Sequence, residues 1–227
     1  MERIIQTIAD EYVKDEKFCG IEWQIEKDNH LLCKGKSGYS NFKLKSPVPE
    51  SALYRIYSMT KPIISILALK LIEIGKLKLN DPISKYDSRF NSMAVLYSNG
   101  TVEQALSQIS IEHLLTHKAG FSYDFLLGCQ IAPFYRHANL IEDGSRDLTD
   151  MVEIISEQPL AFHPGSDWRY SVATDVLAHI IELATDSRLD LLLKQHIFDP
   201  LNMSETTYCL SEVQKKRLMS IYGKYSL

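Results

Sequence analysis

Tyr57-Ser58-Met59-Thr60-Lys61-Pro62, followed by the apolar run Ile63 to Gly75, is the stretch from which the fold can be read. Ser58 and Lys61 stand three residues apart, so a helix starting here brings both side chains onto one face. A serine hydroxyl is a weak nucleophile until a neighbour takes its proton. An amine one turn away can do that, or can orient the group that does. Spacing alone does not decide the matter, because Ser40-Asn41-Phe42-Lys43 repeats it. Context separates the two. Ser40 lies in a loop-like stretch beside Gly38, Tyr39 and Asn41. Ser58 precedes Ile63, Ile64, Ile66, Leu67, Leu69, Leu71, Ile72 and Ile74, apolar on nearly every face, which predicts a buried helix. At the first turn of such a helix, unpaired backbone N–H groups stabilise negative charge.

The 227 residues are 45% hydrophobic and 24% charged, with net charge −4, the composition of a soluble globular protein. The mild negative charge and the lack of a basic run argue against a nucleic-acid partner. Lys70 and Glu73 interrupt the longest apolar stretch, which is too short to span a membrane. The start, Met1-Glu2-Arg3-Ile4-Ile5, lacks the pattern of a secretory signal, and a cytoplasmic location is expected. Cys19, Cys33, Cys129 and Cys209 are scattered, as expected of free thiols in a reducing compartment.

Periodicity predicts an amphipathic helix over 2–16, with Ile4, Ile5, Ile8 and Tyr12 on its inner stripe. Two strands, Gly20 to Glu26 and His30 to Gly35, flank the turn Lys27-Asp28-Asn29. Lys34 to Asn41 reads as a Gly/Ser loop, and 44–57 as extended chain held from helix by Pro47 and Pro49. Gly75 suits a left-handed cap. Tyr97-Ser98-Asn99-Gly100 is a turn between short extended pieces. Ser110 caps a helix from Ile111 to about His117, broken by Gly120. The stretch 121–147 reads as irregular. Thr149 or Asp150 caps a helix ending at Glu157, and Ser171 caps another from Val172 to Ala184, with Val176, Leu177, Ile180, Ile181 and Ala184 inward. A further helix runs from about Leu189 to Ile197, and the tail from Ser211 looks helical.

Four other constellations bear on chemistry. His113 and His117 share a helix face, but a zinc-protease helix needs Glu at position 114, where Leu stands, so two structural histidines are expected. Lys36-Ser37-Gly38 matches the letters of a catalytic K-[ST]-G pattern, yet precedes Ser58 and reads as a turn. Tyr97-Ser98-Asn99 matches Y-x-N but is a better turn than an active-site base. Tyr170-Ser171 sits at a loop-to-helix junction. A phenol beside an ammonium ionises more readily, so Tyr170 near Lys61 suits a base; the same residues also suit a capped junction with a packed tyrosine.

Five segments taken together resemble the serine β-lactamase-like family of class C β-lactamases, D-alanyl-D-alanine peptidases and β-lactamase-like carboxylesterases. They are Ser58–Pro62, Gly75–Pro82, Ile111–Phe121, Pro164–Ser171 and Ile197–Met203, in the family's order and covering most of the chain. The resemblance implies an α+β, β-lactamase/transpeptidase-like fold. A single domain over 1–227 is expected, with an N-terminal helix and hairpin of the sheet in 1–43 and a mainly helical part in 44–227. It also implies Ser58 as the acylated nucleophile, Lys61 as its hydrogen-bonded partner and Tyr170 as base and then acid. The backbone N–H of Ser58 would form half of an oxyanion hole. No cofactor or metal is implied, and the substrate would be a small ester or amide.

Two departures from the family pattern matter. The lactamase pattern Tyr-x-Asn has Val172 at its third position here, which tilts the reading to the esterase branch. The family's C-terminal third, with its K-T-G strand and much of the central antiparallel sheet, has no counterpart after Met203. The expectation is therefore a C-terminally truncated chain with an incomplete sheet whose edge is able to pair with another chain. A carboxylesterase is the first expectation. A β-lactamase or D-alanyl-D-alanine peptidase is the second, and an inactive remnant or binding module the third.

Overall fold

Asp28 and Asn29 both adopt left-handed backbone (φ 52° and 62°), the geometry of a two-residue turn whose twist matches the strands it joins. They close an antiparallel hairpin of β1 (Gly20–Lys27) and β2 (His30–Asn41), preceded by α1 (Glu2–Lys14) and followed by the short β3 (Ser46–Pro47). The computed structural model describes residues 1–140 and 146–222, and the chain forms two compact units: Met1–Tyr57 with the stretch from Thr207, and Ser58–Thr206. Positions 141–145 of the stretch read as irregular, and the tail after 222, lie outside the described residues.

In the first unit the sheet runs β1-β2-β3. Strand β2 continues through Lys34 to Asn41, where the sequence reads as a loop; Gly35 and Gly38 lie opposite Trp23 and Gly20 and pair as strand residues. Gln6 ties α1 to the sheet, accepting from the Trp23 indole (3.2 Å) and donating to the Lys36 carbonyl (2.9 Å). The helix turns Ala9 inward, flanked by half-buried Ile5 and Val13, while Ile4, Ile8 and Tyr12 are exposed. The expected inner stripe is thus only partly right. α1 carries two apolar stripes one residue apart, and helix periodicity alone does not say which one meets the sheet. Leu53 bonds to Arg217 and Met219. A cavity of about 610 Å³ lies within this unit, lined by residues that include Cys19, Tyr54, Arg55 and Tyr222.

The second unit is mainly helical. Its members are α2 (Thr60–Glu73), the hairpin β4 (Ala94–Leu96) and β5 (Val102–Gln104), α3 (Ile111–Leu115), α4 (Ala132–His137), α5 (Leu148–Ser156), α6 (Ala173–Thr185) and α7 (Leu189–Leu193). Helix α6 is central, with Val176, Leu177, Ile180 and Ile181 fully buried, and it packs against α2, α3, α5 and α7. α2 buries Ile64, Leu67, Ala68 and Leu71, but Ile66 and Leu69 are each 52% exposed, so this helix is covered on one side rather than all round. It ends as expected at left-handed Gly75 (φ 75°).

Local signals account for the remaining ends. Ser110 and His113 form a reciprocal capping box on α3, and Asp147 caps α5 two or three residues earlier than expected. Helix α4 was not legible because six residues with a proline carry no measurable period. Asp87, buried at 7% exposure, receives the guanidinium of Arg89 (2.6 Å) and the ring of His179 (3.1 Å), which fastens the turn at Ser88–Phe90 to α6.

Candidate active site

Tyr57 takes a left-handed φ of 45°, an uncommon conformation for a bulky residue, immediately before Ser58. Tyr57–Met59 form one 3₁₀ turn and the α-helix begins at Thr60, so Ser58 stands just ahead of α2 rather than within its first turn. Lys61 follows inside α2, half-buried, with its ammonium 3.4 Å from the Ser58 hydroxyl.

Tyr170 arrives on the loop between Gly165 and α6. That loop is pinned to the stretch that follows α3: the Arg169 N–H donates to the His117 carbonyl (3.0 Å), and the Val172 N–H to the Ser122 carbonyl (3.4 Å). The Ser171 hydroxyl accepts from the Ala173 N–H, but the cap position of α6 falls one residue later than expected, at Val172. The Tyr170 hydroxyl donates to Ser58 Oγ at 2.7 Å, and Lys61 Nζ lies 5.0 Å from the Tyr170 ring centre. Ser58, Lys61 and Tyr170 are therefore gathered at one point from positions up to 112 residues apart.

Three further residues complete the surroundings. Tyr123, at 7% exposure, accepts a hydrogen bond from Lys61 Nζ at 2.8 Å, and its ring stacks on Phe125 (4.9 Å, 17°). His117 lies 5.1 Å, ring to ring, from Tyr170, and its Nδ1 is 3.3 Å from Ser171 Oγ. Asp175, on the first turn of α6, is close enough to act on Lys61 through its charge. Nothing in the sequence alone marks these three as site residues. Tyr123 sits in the stretch without periodicity, Asp175 reads as an ordinary acidic residue at a helix N-terminus, and His117 reads as packing. The dense polar neighbourhood of Tyr170 is visible only in three dimensions.

Charge in the site is divided unevenly. Burial pulls the Lys61 ammonium down, but the Tyr123 hydrogen bond, Tyr170 and the charge of Asp175 together hold its pKa above the usual lysine value. Burial raises the Tyr170 phenol, yet its bond to Ser58 and the nearby Lys61 ammonium bring it below the usual tyrosine value. Tyr123 goes the other way, because burial outweighs the help from Lys61. Burial raises Asp175, and burial followed by the Lys61 charge lowers His117. A hydroxyl flanked by an ammonium and a readily ionised phenol can lose its proton to that phenol and attack an electrophilic carbon.

The lettered decoys are accounted for elsewhere. The Ser40 hydroxyl donates to the Ser46 carbonyl, and Lys36, in β2 rather than a turn, pairs with Glu22 (3.4 Å). Tyr97-Ser98-Asn99 lies in the β4–β5 turn, with the Tyr97 hydroxyl 2.9 Å from His163. His113 and His117 take separate roles, one in a helix cap and one in left-handed backbone (φ 56°). Among the described residues, no group of three or more His, Cys, Asp or Glu side chains is gathered as a metal site, and no helix is long and apolar enough to cross a membrane.

The profile of the family described as Beta-lactamase matches residues 5–226. Esterase EstB of Burkholderia gladioli is 27% identical over 215 residues, which is 93% of this chain and 52% of that protein. A putative D-alanyl-D-alanine carboxypeptidase of Salmonella typhimurium is 29% identical over 204 residues, 86% of this chain and 44% of that protein. Among solved structures, EstCE1, a hydrolase with promiscuous acyltransferase activity, superposes with a TM-score of 0.82 at 25% identity, covering 99% of this chain and 57% of that one. The chain spans about half the length of the curated relatives it matches.

Proposed function

The chain belongs to the Beta-lactamase family, serine hydrolases with esterase and carboxypeptidase members, and on that footing we propose that it cleaves carboxylic esters through an acyl group carried on Ser58. The observation that carries this reading is the 2.7 Å contact of Tyr170 with Ser58, made beside the Lys61 ammonium. With Tyr170 ionised, its oxygen takes the Ser58 proton as Oγ bonds to the ester carbonyl carbon. The carbonyl oxygen becomes an oxyanion, with the Ser58 backbone N–H as one donor to it. Collapse breaks the bond to the leaving alkoxide, which takes the proton back from Tyr170. Water then adds to the acyl-serine by the same route, releasing a carboxylic acid and restoring Ser58.

Esters are favoured over peptides by position 172. An amide there would hold a peptide or β-lactam carbonyl, whereas Val172 is fully buried in the core and offers no polar group. The esterase names among the relatives agree.

The test compares short-chain p-nitrophenyl esters with a labelled penicillin on the purified 227-residue chain. Ester turnover that disappears in Ser58→Ala supports the reading. Stable acylation by penicillin without ester turnover would assign the chain to the β-lactamase or D-alanyl-D-alanine peptidase branch. Ester turnover that survives Ser58→Ala would remove Ser58 from the reaction.

A further inference from the structure

The ammonium at the centre of the site has a closer partner than the serine. Lys61 Nζ is 2.8 Å from the Tyr123 hydroxyl and 3.4 Å from Ser58 Oγ. A lysine ends in a flexible four-carbon stem, so its position in a site is set by what its three N–H groups bond to. Tyr123 is well suited to set it. Its ring is buried, stacked on Phe125 and 5.3 Å from the Tyr170 ring, so its hydroxyl is a fixed point. The two tyrosines hold different positions: the Tyr170 hydroxyl bonds to Ser58 at 2.7 Å and also acts on Lys61, whereas the Tyr123 hydroxyl bonds to Lys61 at 2.8 Å.

We propose that Tyr123 is a positioning residue, whose buried hydroxyl fixes the Lys61 ammonium between Ser58 and Tyr170 so that Tyr170, not Tyr123, exchanges the proton with the serine. The proposal rests on the reading of Ser58, Lys61 and Tyr170 as the reacting set. The Tyr123 hydroxyl bonds to Lys61 rather than to Ser58. It works by keeping the ammonium where it stabilises the ionised form of Tyr170; burial shifts the Tyr123 phenol up, while the bond to Ser58 and the ammonium shift Tyr170 down. The groups facing Lys61 and bearing on its titration are Ser58 ahead of α2, Tyr123 and His117 from the loops after α3, Tyr170 from the loop before α6, and Asp175 from α6 itself.

Tyr123→Phe removes one oxygen and keeps the stacked ring, so the fold should be retained. The experiment is a pH titration of ¹³Cζ-tyrosine NMR signals in the full chain, with Tyr170 and Tyr123 assigned from their Phe variants, alongside the rate of Ser58 labelling by a fluorophosphonate. In the wild type, Tyr170 should titrate below Tyr123. In Tyr123→Phe, the Tyr170 midpoint should rise by about half a pH unit or more, because the cation beside it is no longer held. The labelling rate at a fixed pH should fall roughly 10²-fold, the usual penalty for misplacing a reacting array by about an ångström, with little change in the saturating probe concentration. A Tyr170 midpoint that stays put in Tyr123→Phe would overturn the proposal, as would Tyr123 titrating first. A variant that merely loses thermal stability with the midpoint unmoved counts against it equally. Because the titration needs no turnover, it reads Tyr123 separately from the esterase reading, which fails instead if wild-type Ser58 is not labelled.

Discussion

Ser58, Lys61 and Tyr170 were legible as letters: a serine and lysine one turn apart before an apolar run, and a tyrosine at a helix junction. Tyr123 was not, because nothing in Gly120-Phe121-Ser122-Tyr123 distinguishes a lysine's anchor from a packed aromatic. Gly120 gave the one usable hint. Its left-handed backbone (φ 91°) runs so close to the Phe162 carbonyl that a Cβ there would lie 2.6 Å from that oxygen, so this turn, and the tyrosine after it, can be placed only with glycine at its start. At this scale the pH dependence follows from opposite shifts. The proposed reaction would need Tyr170 ionised, and its pKa lies below the usual ~10; it would also need Lys61 charged, and its pKa lies above the usual ~10.4. Acylation by a fluorophosphonate should therefore rise along an acid limb centred below pH 10 and fall only above the ordinary lysine range. The limbs belong to the coupled pair rather than to either residue alone. Lys61→Met should move the acid limb upward, since the cation favouring the phenolate is gone. A limb left in place by that substitution would show that the titrating group is not Tyr170.

Among the elements, α2 shows how far composition can be trusted. An apolar run predicts a helix wanted by a core, and the helix is there, but its two sides differ: Leu67 is fully buried and Ile66 is half-exposed. Leu67→Ala should cost about 3 kcal/mol through lost burial and the cavity it leaves. Ile66→Ala should change stability by no more than about 0.5 kcal/mol. Urea denaturation of the two variants checks this, and equal losses would mean that both sides are covered in solution. The N-terminal part was readable for a different reason. Asp28-Asn29 between two alternating runs is a strong local turn signal, so the hairpin was evident, whereas the inner face of α1 depended on a non-local choice between two stripes of similar character. β2 ran longer than its Gly/Ser content suggested because its partner strand supplies the hydrogen bonds that local propensity does not. Strong periodicity places helix α6 to within one residue at each end, although its cap position is Val172, without a side-chain cap, rather than the expected Ser171.

For the whole molecule, the family was carried by the order of five segments along most of the chain, each weak by itself, and a family match over residues 5–226 agrees with that reading. The chain has a β-lactamase/transpeptidase-like fold, with small antiparallel sheets and packed helices. All the groups invoked for acylation, Ser58, Lys61, Tyr123, Tyr170 and Asp175, fall within the Ser58–Thr206 unit. The groups proposed to form an acyl-serine thus lie in a single compact part of a chain that spans about half the length of its curated relatives. The most direct measurement is mass spectrometry of the chain after incubation with an activated ester and rapid acid quench, followed by peptide mapping. One acyl group should be found, on the peptide containing Ser58, and it should be missing from Ser58→Ala and sharply reduced in Tyr170→Phe. An acyl group on any other residue, or one retained at full level in Ser58→Ala, would contradict the assignment of Ser58.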